Sequence, residues 1–314
     1  MISGPERAFR DYRTGLGGQV QYRLWQLATM LGRRLPLRVS YGLAVVVGSA
    51  AYYLWPRGRR SMARNYARVL PGAGQREIRK VARRSLANYC CYLIDFIRFP
   101  SMAPAQFVAG VAGDESFRAL DAALARGKGA VVVCMHFGNW DLGAGATAAR
   151  GYPVTVVAET FADPRLDEIV VGARRKLGMR IVKMEKVGPS ILRALKQNGV
   201  LALLIDRPVP GDGVKVRFFG EEGEVPAGPA RLALRAGAAV VPAAFPRQHR
   251  NRLDVSTLTD FGISAEATGD EERDIRQLTQ AIMDAHERFV RAYPDQWYMF
   301  REMWPATNRQ PTRG

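Results

Sequence analysis

The feature that most constrains this chain is a change of rhythm after Pro100, where short runs rich in β-branched residues begin to alternate with helical segments. Residues Ala130 to Met135 read Ala-Val-Val-Val-Cys-Met, a continuous apolar strand entered through the turn Arg126-Gly127-Lys128-Gly129. Further strands are expected at Val154 to Val157, Arg180 to Lys183, Val200 to Ile205, Val214 to Phe219 and Ala239 to Phe245. Between them, Leu142 to Arg150, Arg165 to Leu177, Ser190 to Gln197 and Pro229 to Ala236 read as helices, and Arg273 to Tyr293 as a final one. Strands that are apolar throughout, separated by helices, predict an α/β fold with a mixed, largely parallel sheet covered on its faces.

Before Pro100 the pattern is helical. Gln19 to Leu31, Leu35 to Trp55, Ser61 to Val69 and Gln75 to Phe99 read as helices, broken by Pro36, by Pro56-Arg57-Gly58 and by Pro71-Gly72-Ala73-Gly74. In the last of them Ile78, Val81, Leu86, Tyr89, Leu93 and Ile97 follow the helical period, with Arg79, Lys80, Arg83 and Arg84 between, either a solvated face or a lipid contact. The 314 residues thus divide into an N-terminal helical layer over 1–100, an α/β catalytic body over 101–304 and a flexible tail over 305–314.

Charge separates the same regions. The first 100 residues hold 18 Arg or Lys against Glu6, Asp11, Glu77 and Asp95, a net +14 out of the +17 of the whole chain. A polyanion is the expected partner of such a face. Nucleic acid and an anionic bilayer both qualify, and the interleaved residues favour the bilayer. From Val39 to Pro56 there are 18 residues without charge, including Tyr41, Tyr52, Tyr53 and Trp55, flanked by Arg33, Arg34 and Arg38 on one side and Arg57, Arg59 and Arg60 on the other. Aromatic ends with Arg flanks suit a membrane interface. The run lies at the short limit for spanning, so it reads as a helix lying in the interface, with a single crossing or a core helix as alternatives. Three cysteines, Cys90, Cys91 and Cys134, make no disulfide framework and no metal spacing, and the first apolar run, after residue 20, lacks the clean cleavage site expected of a secretory signal. A reduced, cytosolic setting is expected.

The chemistry is expected where the strand at 130–135 runs into His136-Phe137-Gly138-Asn139-Trp140-Asp141. Groups that act on ligands collect at strand ends of an open α/β sheet. Gly138 permits a tight turn, Asn139 caps the helix that follows, and Asp141 falls in its first turn, able to fold back on the imidazole. A carboxylate on one ring nitrogen frees the other to accept a proton from a hydroxyl, so the pair can serve as a general base. The competing reading is a buried histidine satisfied by Asp141. The other histidines, His249 and His286, fall in a basic loop and a polar helix. No Gly-x-Ser-x-Gly elbow, P-loop, dinucleotide fingerprint or zinc spacing occurs. Cys134 reads as a small core residue rather than an acyl-carrying nucleophile.

The block His136 to Asp141 resembles the His-x4-Asp/Glu motif of the glycerolipid and lipid A acyltransferase superfamily. Other blocks agree in order: Arg64-Asn65-Tyr66, Val157-Ala158-Glu159, Asp206-Arg207, Phe218-Phe219-Gly220, Val225-Pro226-Ala227-Gly228-Pro229-Ala230 and Tyr293-Pro294-Asp295-Gln296-Trp297-Tyr298. On these, the chain is identified as a member of the lipid A biosynthesis acyltransferase family, over about residues 20 to 304, and its pattern is most similar to phosphatidylinositol mannoside acyltransferases.

The resemblance implies direct transfer of a fatty acyl group from acyl-CoA or acyl carrier protein to a glycolipid hydroxyl. His136 is then the base and Asp141 its orienting partner, with no covalent intermediate, metal or cofactor. Glu159 matches an acidic position near the acceptor or the catalytic histidine, or is a strand-end charge in solvent. Asp206 stands where the mannoside enzymes tend to carry Glu, which leaves its contact open. Arg207 can pair with Asp206 or stabilise phosphate or oxyanion charge. Phe219 offers apolar surface to an acyl chain or to the core, and Gly228 opens a helix whose free amides can hold an anion or simply begin the helix. Asn139 joins Asp206, Arg207, Phe219 and Gly228 as an expected substrate contact.

The expected partners are anionic membrane lipids, a thioester donor and a glycolipid acceptor, not nucleic acid. The expected place is the cytoplasmic face of the bacterial inner membrane, peripheral, monotopic or with one short membrane helix. A lipid A lauroyl or myristoyl transferase is the nearest alternative. A nonenzymatic basic protein that binds membrane or nucleic acid is the alternative of another class.

Overall fold

A computed structural model describes residues 16–113, 115–158, 163–183, 188–207, 213–260, 263 and 267–304. Six strands form the main sheet: β1 (Ala130–Cys134), β2 (Val154–Ala158), β3 (Arg180–Lys183), β4 (Val200–Leu204), β7 (Ala239–Ala244) and β8 (Leu258–Thr259). Their order is β3-β2-β4-β1-β7-β8. Every pairing is parallel except that of the edge strand β8 with β7. A separate antiparallel hairpin joins β5 (Gly213–Phe218) and β6 (Glu221–Pro226). The sheet is thus largely parallel and covered by helices, as the alternation of apolar runs predicts.

Side-chain alternation on β1 divides the core. Val131, Val133 and Met135 face helices α10 (Gly228–Ala236) and α11 (Glu271–Ala292), where Ala230, Ala233, Ile282 and Met283 are buried. Val132 and Cys134 face the opposite layer, against α7 (Trp140–Ala149), through Leu142 and Ala146. That same layer contains α8 (Pro164–Lys176) and α6 (Glu115–Leu124), while α9 (Pro189–Lys196) joins the first through Ile191 and Leu195.

The N-terminal helices are α1 (Leu16–Arg34), α2 (Leu37–Leu54), α3 (Pro56–Val69) and α4 (Gln75–Arg98). Pro56-Arg57-Gly58 is not the expected loop between α2 and α3 but the start of α3. Pro56 sits at the first turn of α3, where its missing N–H costs nothing, so that helix begins five residues before the expected Ser61. Met62 and Tyr66 of α3, and Ile78, Ala82 and Leu86 of α4, belong to the same apolar cluster as β1. The Asn65 side chain donates to the carbonyls of Met299 (3.1 Å) and Arg301 (2.7 Å), and the Tyr66 and Ser85 hydroxyls to that of Trp297 (2.5 and 2.8 Å). The late aromatic segment is thereby strapped against the N-terminal layer.

Four helices and strands escape the sequence reading: α5 (Pro104–Ala109), α6, β6 and the two-residue edge strand β8. Short α5 and α6 lie in a stretch of weak periodicity. Strand β6 is polar on its outer residues, and its turn is unusual: Phe219 (φ +52°) and Gly220 (φ +79°) form a two-residue loop between paired Phe218 and Glu221. Two positive φ values match the right-handed twist of a hairpin. Phenylalanine is a rare residue there, which hides the signal.

His286 lies in the final helix, as expected. It is buried on the inner face of α11, and its Nε2–H donates to the Val133 carbonyl at 3.1 Å. Burial lowers its imidazole to about 4, against smaller upward pulls from Asp206 and the Val133 carbonyl. An unfolded chain, with a histidine near 6.5, therefore binds more protons across this interval. Stability is retained above about pH 6.5 and lost as pH falls through 4. His286→Gln keeps a donor for Val133 without the titration. In urea unfolding between pH 7 and pH 4, the parent should lose about 3 kcal/mol more than this variant.

Candidate active site

Parallel register places the central pair. β1 and β4 run side by side with Cys134 opposite Leu204, so two residues further along each strand His136 and Asp206 are neighbours. The Asp206 carboxylate is fully buried and grips His136 twice. Oδ2 accepts from the backbone N–H at 3.0 Å, and Oδ1 meets ring Nδ1 at 2.7 Å. Burial pushes the Asp206 carboxyl up, but the imidazole and then the Arg207 guanidinium pull it down, for a net position below the usual range. An ionised carboxylate at Nδ1 fixes the tautomer with the proton there and leaves Nε2 as the acceptor.

The expected contact between Asp141 and His136 is not formed. Asp141 does fall in the first turn of α7, buried, but its carboxylate turns toward α8 and α4. Arg174 binds it through two bonds of 2.7 and 3.0 Å, and the Tyr92 hydroxyl donates at 2.7 Å. The reason is steric and electrostatic together. Nδ1 is already taken by Asp206, while a planar guanidinium offers Asp141 the bidentate pairing a buried carboxylate needs.

The turn between β1 and α7 is fixed by its backbone. Gly138 has φ +60°, and a Cβ there would lie 2.1 Å from the Phe245 carbonyl oxygen. Glycine allows the strand end to close on 245–247, where the Asn139 N–H donates to the Phe245 carbonyl at 2.8 Å. From the other side the Tyr298 N–H donates to the His136 carbonyl at 2.7 Å. Asn139 caps α7 as expected, its Oδ1 accepting from the Leu142 N–H at 3.1 Å.

A cavity of 460 Å³ opens beside His136. Its walls are mostly apolar, with Val132, Cys134, Val156, Ala202 and Leu204 from the sheet and Ala144 from α7. Polar groups cluster near the histidine: Asp141, Arg174, Arg207, Tyr89 and Tyr92. Trp140 lies between, its ring stacked on Tyr92 (4.2 Å) and edge-on to His136 (5.3 Å). Gly228 lines the same cavity at the start of α10, so His136, Asp206, Arg207 and Gly228 do converge.

Phe219 and Asn139 do not reach the cavity. Phe219 packs in the core with Phe218, Trp297 and Trp304, and Asn139 is buried behind the turn. Glu159 lies outside the described residues. Cys134 lines the cavity, but burial pushes its thiol up to about 12, so it is no thiolate at neutral pH. Arg174 and Tyr92 are the groups that sequence reading misses. Arg174 sits in the run Arg174-Arg175-Lys176, where nothing marks one charge as the one that turns inward.

A histidine held by a buried carboxylate can take a proton from a hydroxyl, and the apolar cavity beside it has room for an acyl chain. The family described as bacterial lipid A biosynthesis acyltransferase matches residues 21–305, and the chain belongs to it. It is 30% identical over 310 residues, 94% of each chain, to the phosphatidylinositol mannoside acyltransferase of Mycolicibacterium smegmatis. Over 267 residues it is 31% identical to the phosphatidylinositol mannoside acyltransferases of two Mycobacterium tuberculosis strains, covering 82% of this chain and 80% of theirs.

Asp206→Asn keeps the shape at Nδ1 and removes the charge that fixes the tautomer. It should lower kcat for acyl transfer by on the order of 10²–10⁴ with the fold intact by circular dichroism. A parental kcat in that variant would show that the Asp206 charge does not orient His136.

Proposed function

We propose that the protein moves a fatty acyl group from a thioester, acyl-CoA or acyl carrier protein, to a sugar hydroxyl of a phosphatidylinositol mannoside-like glycolipid. The observation that carries this reading is the His136 ring, tethered at Nδ1 by Asp206 and lining an apolar cavity. The acceptor hydroxyl gives its proton to Nε2 as its oxygen bonds to the thioester carbonyl carbon. The tetrahedral oxyanion collapses, the carbon–sulfur bond breaks, and the imidazolium returns the proton to the leaving thiolate. The step balances with the two substrates alone and needs no covalent enzyme intermediate.

Around that step the other groups have separate tasks. Arg207 lines the cavity beside His136 and is suited to the oxyanion or to a phosphate of donor or acceptor. The amide end of α10 at Gly228 offers a second site for negative charge. Asp141 and Arg174 neutralise each other in the cavity wall, which allows an apolar chain to pass beside them. Glu159, from the matching acidic position, is assigned to the acceptor.

The membrane part of the reading rests on α2. Its Ser40, Tyr41, Ala44, Gly48 and Tyr52 form one buried stripe, while Val39, Leu43, Val46, Val47 and Leu54 are exposed. Among the described residues the exposed large apolar side chains all fall between Val20 and Trp55. α2 is also the one described helix long and apolar enough to cross a bilayer. It packs on α4 so closely that a Cβ on Gly48 would lie 2.6 Å from the Ala87 Cα. Since α4 carries Arg79, Lys80, Arg83 and Arg84, a crossing would drag these into lipid or break the packing. A monotopic arrangement, with α1 and α2 in the interface of the cytoplasmic leaflet, satisfies both faces.

His136→Ala should abolish transfer from acyl-CoA to a phosphatidylinositol mannoside acceptor, a loss of at least ~10²–10⁴-fold, read by mass spectrometry of the product lipid. Full activity in that purified variant would sink the mechanism. For the membrane, sedimentation with anionic liposomes should be strong at low salt and only partly released at high salt, because screening weakens the charge contribution and not apolar insertion. Replacing Arg57, Arg59 and Arg60 together with Ala should weaken the salt-sensitive part. If that variant binds anionic and neutral vesicles like the parent, the basic layer faces something other than the bilayer.

A further inference from the structure

Asp95 lies on α4, 1% exposed, whereas Glu77 on the same helix is exposed. Three donors converge on its carboxylate. The Tyr41 hydroxyl of α2 and the Arg247 guanidinium bind it closely, and Asn139 Nδ2 donates at 2.8 Å. Arg247 is itself 8% exposed and fixed from every side. It donates to the Tyr41 hydroxyl (3.1 Å) and to the Arg252 carbonyl (2.8 Å) and lies 4.9 Å over the Tyr41 ring. Its backbone N–H and carbonyl both bond the Gln296 side chain, at 2.7 and 2.9 Å. None of Tyr41, Asp95, Asn139 and Arg247 lines the cavity.

A buried ion pair is a weak source of stability, because desolvation offsets most of the attraction. Its geometry here explains its presence better. The amide of Asn139 is held at both ends, by Oδ1 on the Leu142 N–H and by Nδ2 on Asp95. That amide sits between His136 and Asp141 in the chain, at the turn where β1 becomes α7. We propose that Asp95 is a positioning residue for acyl transfer. Through Asn139 it fixes the segment His136 to Asp141, with Arg247 as its counter-charge and Tyr41 joining the arrangement to α2. The inference rests on the acyl-transfer reading above. It predicts an effect on the reacting geometry from residues that never touch a substrate, since small misplacements of a reacting group cost up to ~10²-fold.

The test uses variants of the full chain. Asn139→Ser keeps a helix-capping oxygen but is too short to reach Asp95. Its kcat should fall ~10-fold or more while KM for thioester and acceptor stays within about twofold. Tyr41→Phe removes one donor and should show the same split more weakly. The paired replacement Asp95→Leu with Arg247→Met removes both charges together, a change buried pairs often tolerate. Adding Asn139→Ser to that pair should cost no further kcat, because the link is already gone. Should the paired replacement fail to fold, Asn139→Ser and Tyr41→Phe decide alone. Parental kcat in Asn139→Ser, a change confined to KM, or full additivity with the paired replacement would overturn the proposal. An inactive parent would count against the acyl-transfer reading instead. In that case the ring-proton NMR signals of His136, one of only three histidines, still report whether Asn139→Ser moves the imidazole, and unmoved signals would overturn the positioning role.

Discussion

The arrangement turns on a buried carboxylate that must find a partner. Asp206 has no solvent contact, and a charge in that position is tolerable only with donors aimed at it. The parallel register of β1 and β4 supplies them, bringing the His136 N–H and Nδ1 to its two oxygens. Because β1 is one of the two middle strands, flanked by β4 and β7, the segment after it lies where the sheet's strand ends gather. Everything around the cavity is then placed relative to one strand end: α7 by the turn at Gly138, the strap at Tyr298 by the His136 carbonyl, and Arg207 by the residue before it.

Periodicity carries local information, and the parts of the fold that are local are legible in it. Val131 to Cys134 alternate between two helix layers as an apolar strand in a parallel sheet should, and Asn139 caps α7 as its place before the helix suggests. The choice of partner for His136 is not local. Asp141 lies five residues away in the chain and Asp206 seventy, and nothing in spacing says which carboxylate shares a strand edge with the imidazole. The same holds for Arg174, which is one of three consecutive cations in sequence and the only one of them that is half-buried rather than exposed. The hairpin turn at Phe219 fails for a different reason. Its backbone requires positive φ, and the residue that adopts it is held by core packing against Trp297 and Trp304 rather than by its own preference.

The two carboxylates divide the site between them. Asp206 is paired with a group that can exchange a proton, and Asp141 with one that cannot. An arginine stays charged, so the Asp141–Arg174 pair is electrically constant through the reaction, whereas the His136–Asp206 pair can take up and release a proton. The first arrangement suits a wall, the second suits a base. Tyr92 belongs with the wall: its hydroxyl is spent on Asp141, and burial followed by the Asp141 charge pushes it well above its ordinary range, so it has no proton to give at neutral pH.

The N-terminal layer poses the complementary problem of apolar surface left outside. α2 buries a stripe of small and aromatic residues against α4 and leaves aliphatic residues facing outward. α1 adds Val20, Leu24, Leu27, Met30 and Leu31 to the same exposed set. An apolar patch of this kind on a soluble body invites association, and the surrounding arginines decide with what. On the membrane reading proposed above, the headgroups of an anionic lipid surface take the charge and the acyl region takes the side chains. Tyr41 is the point at which that surface touches the interior. On a helix whose far face is apolar and exposed, it donates to a carboxylate that in turn holds the turn behind His136. On the membrane reading proposed above, a helix lying in lipid and the turn behind His136 would share one buried hydrogen-bond network, through which the rigidity of the first can serve the second.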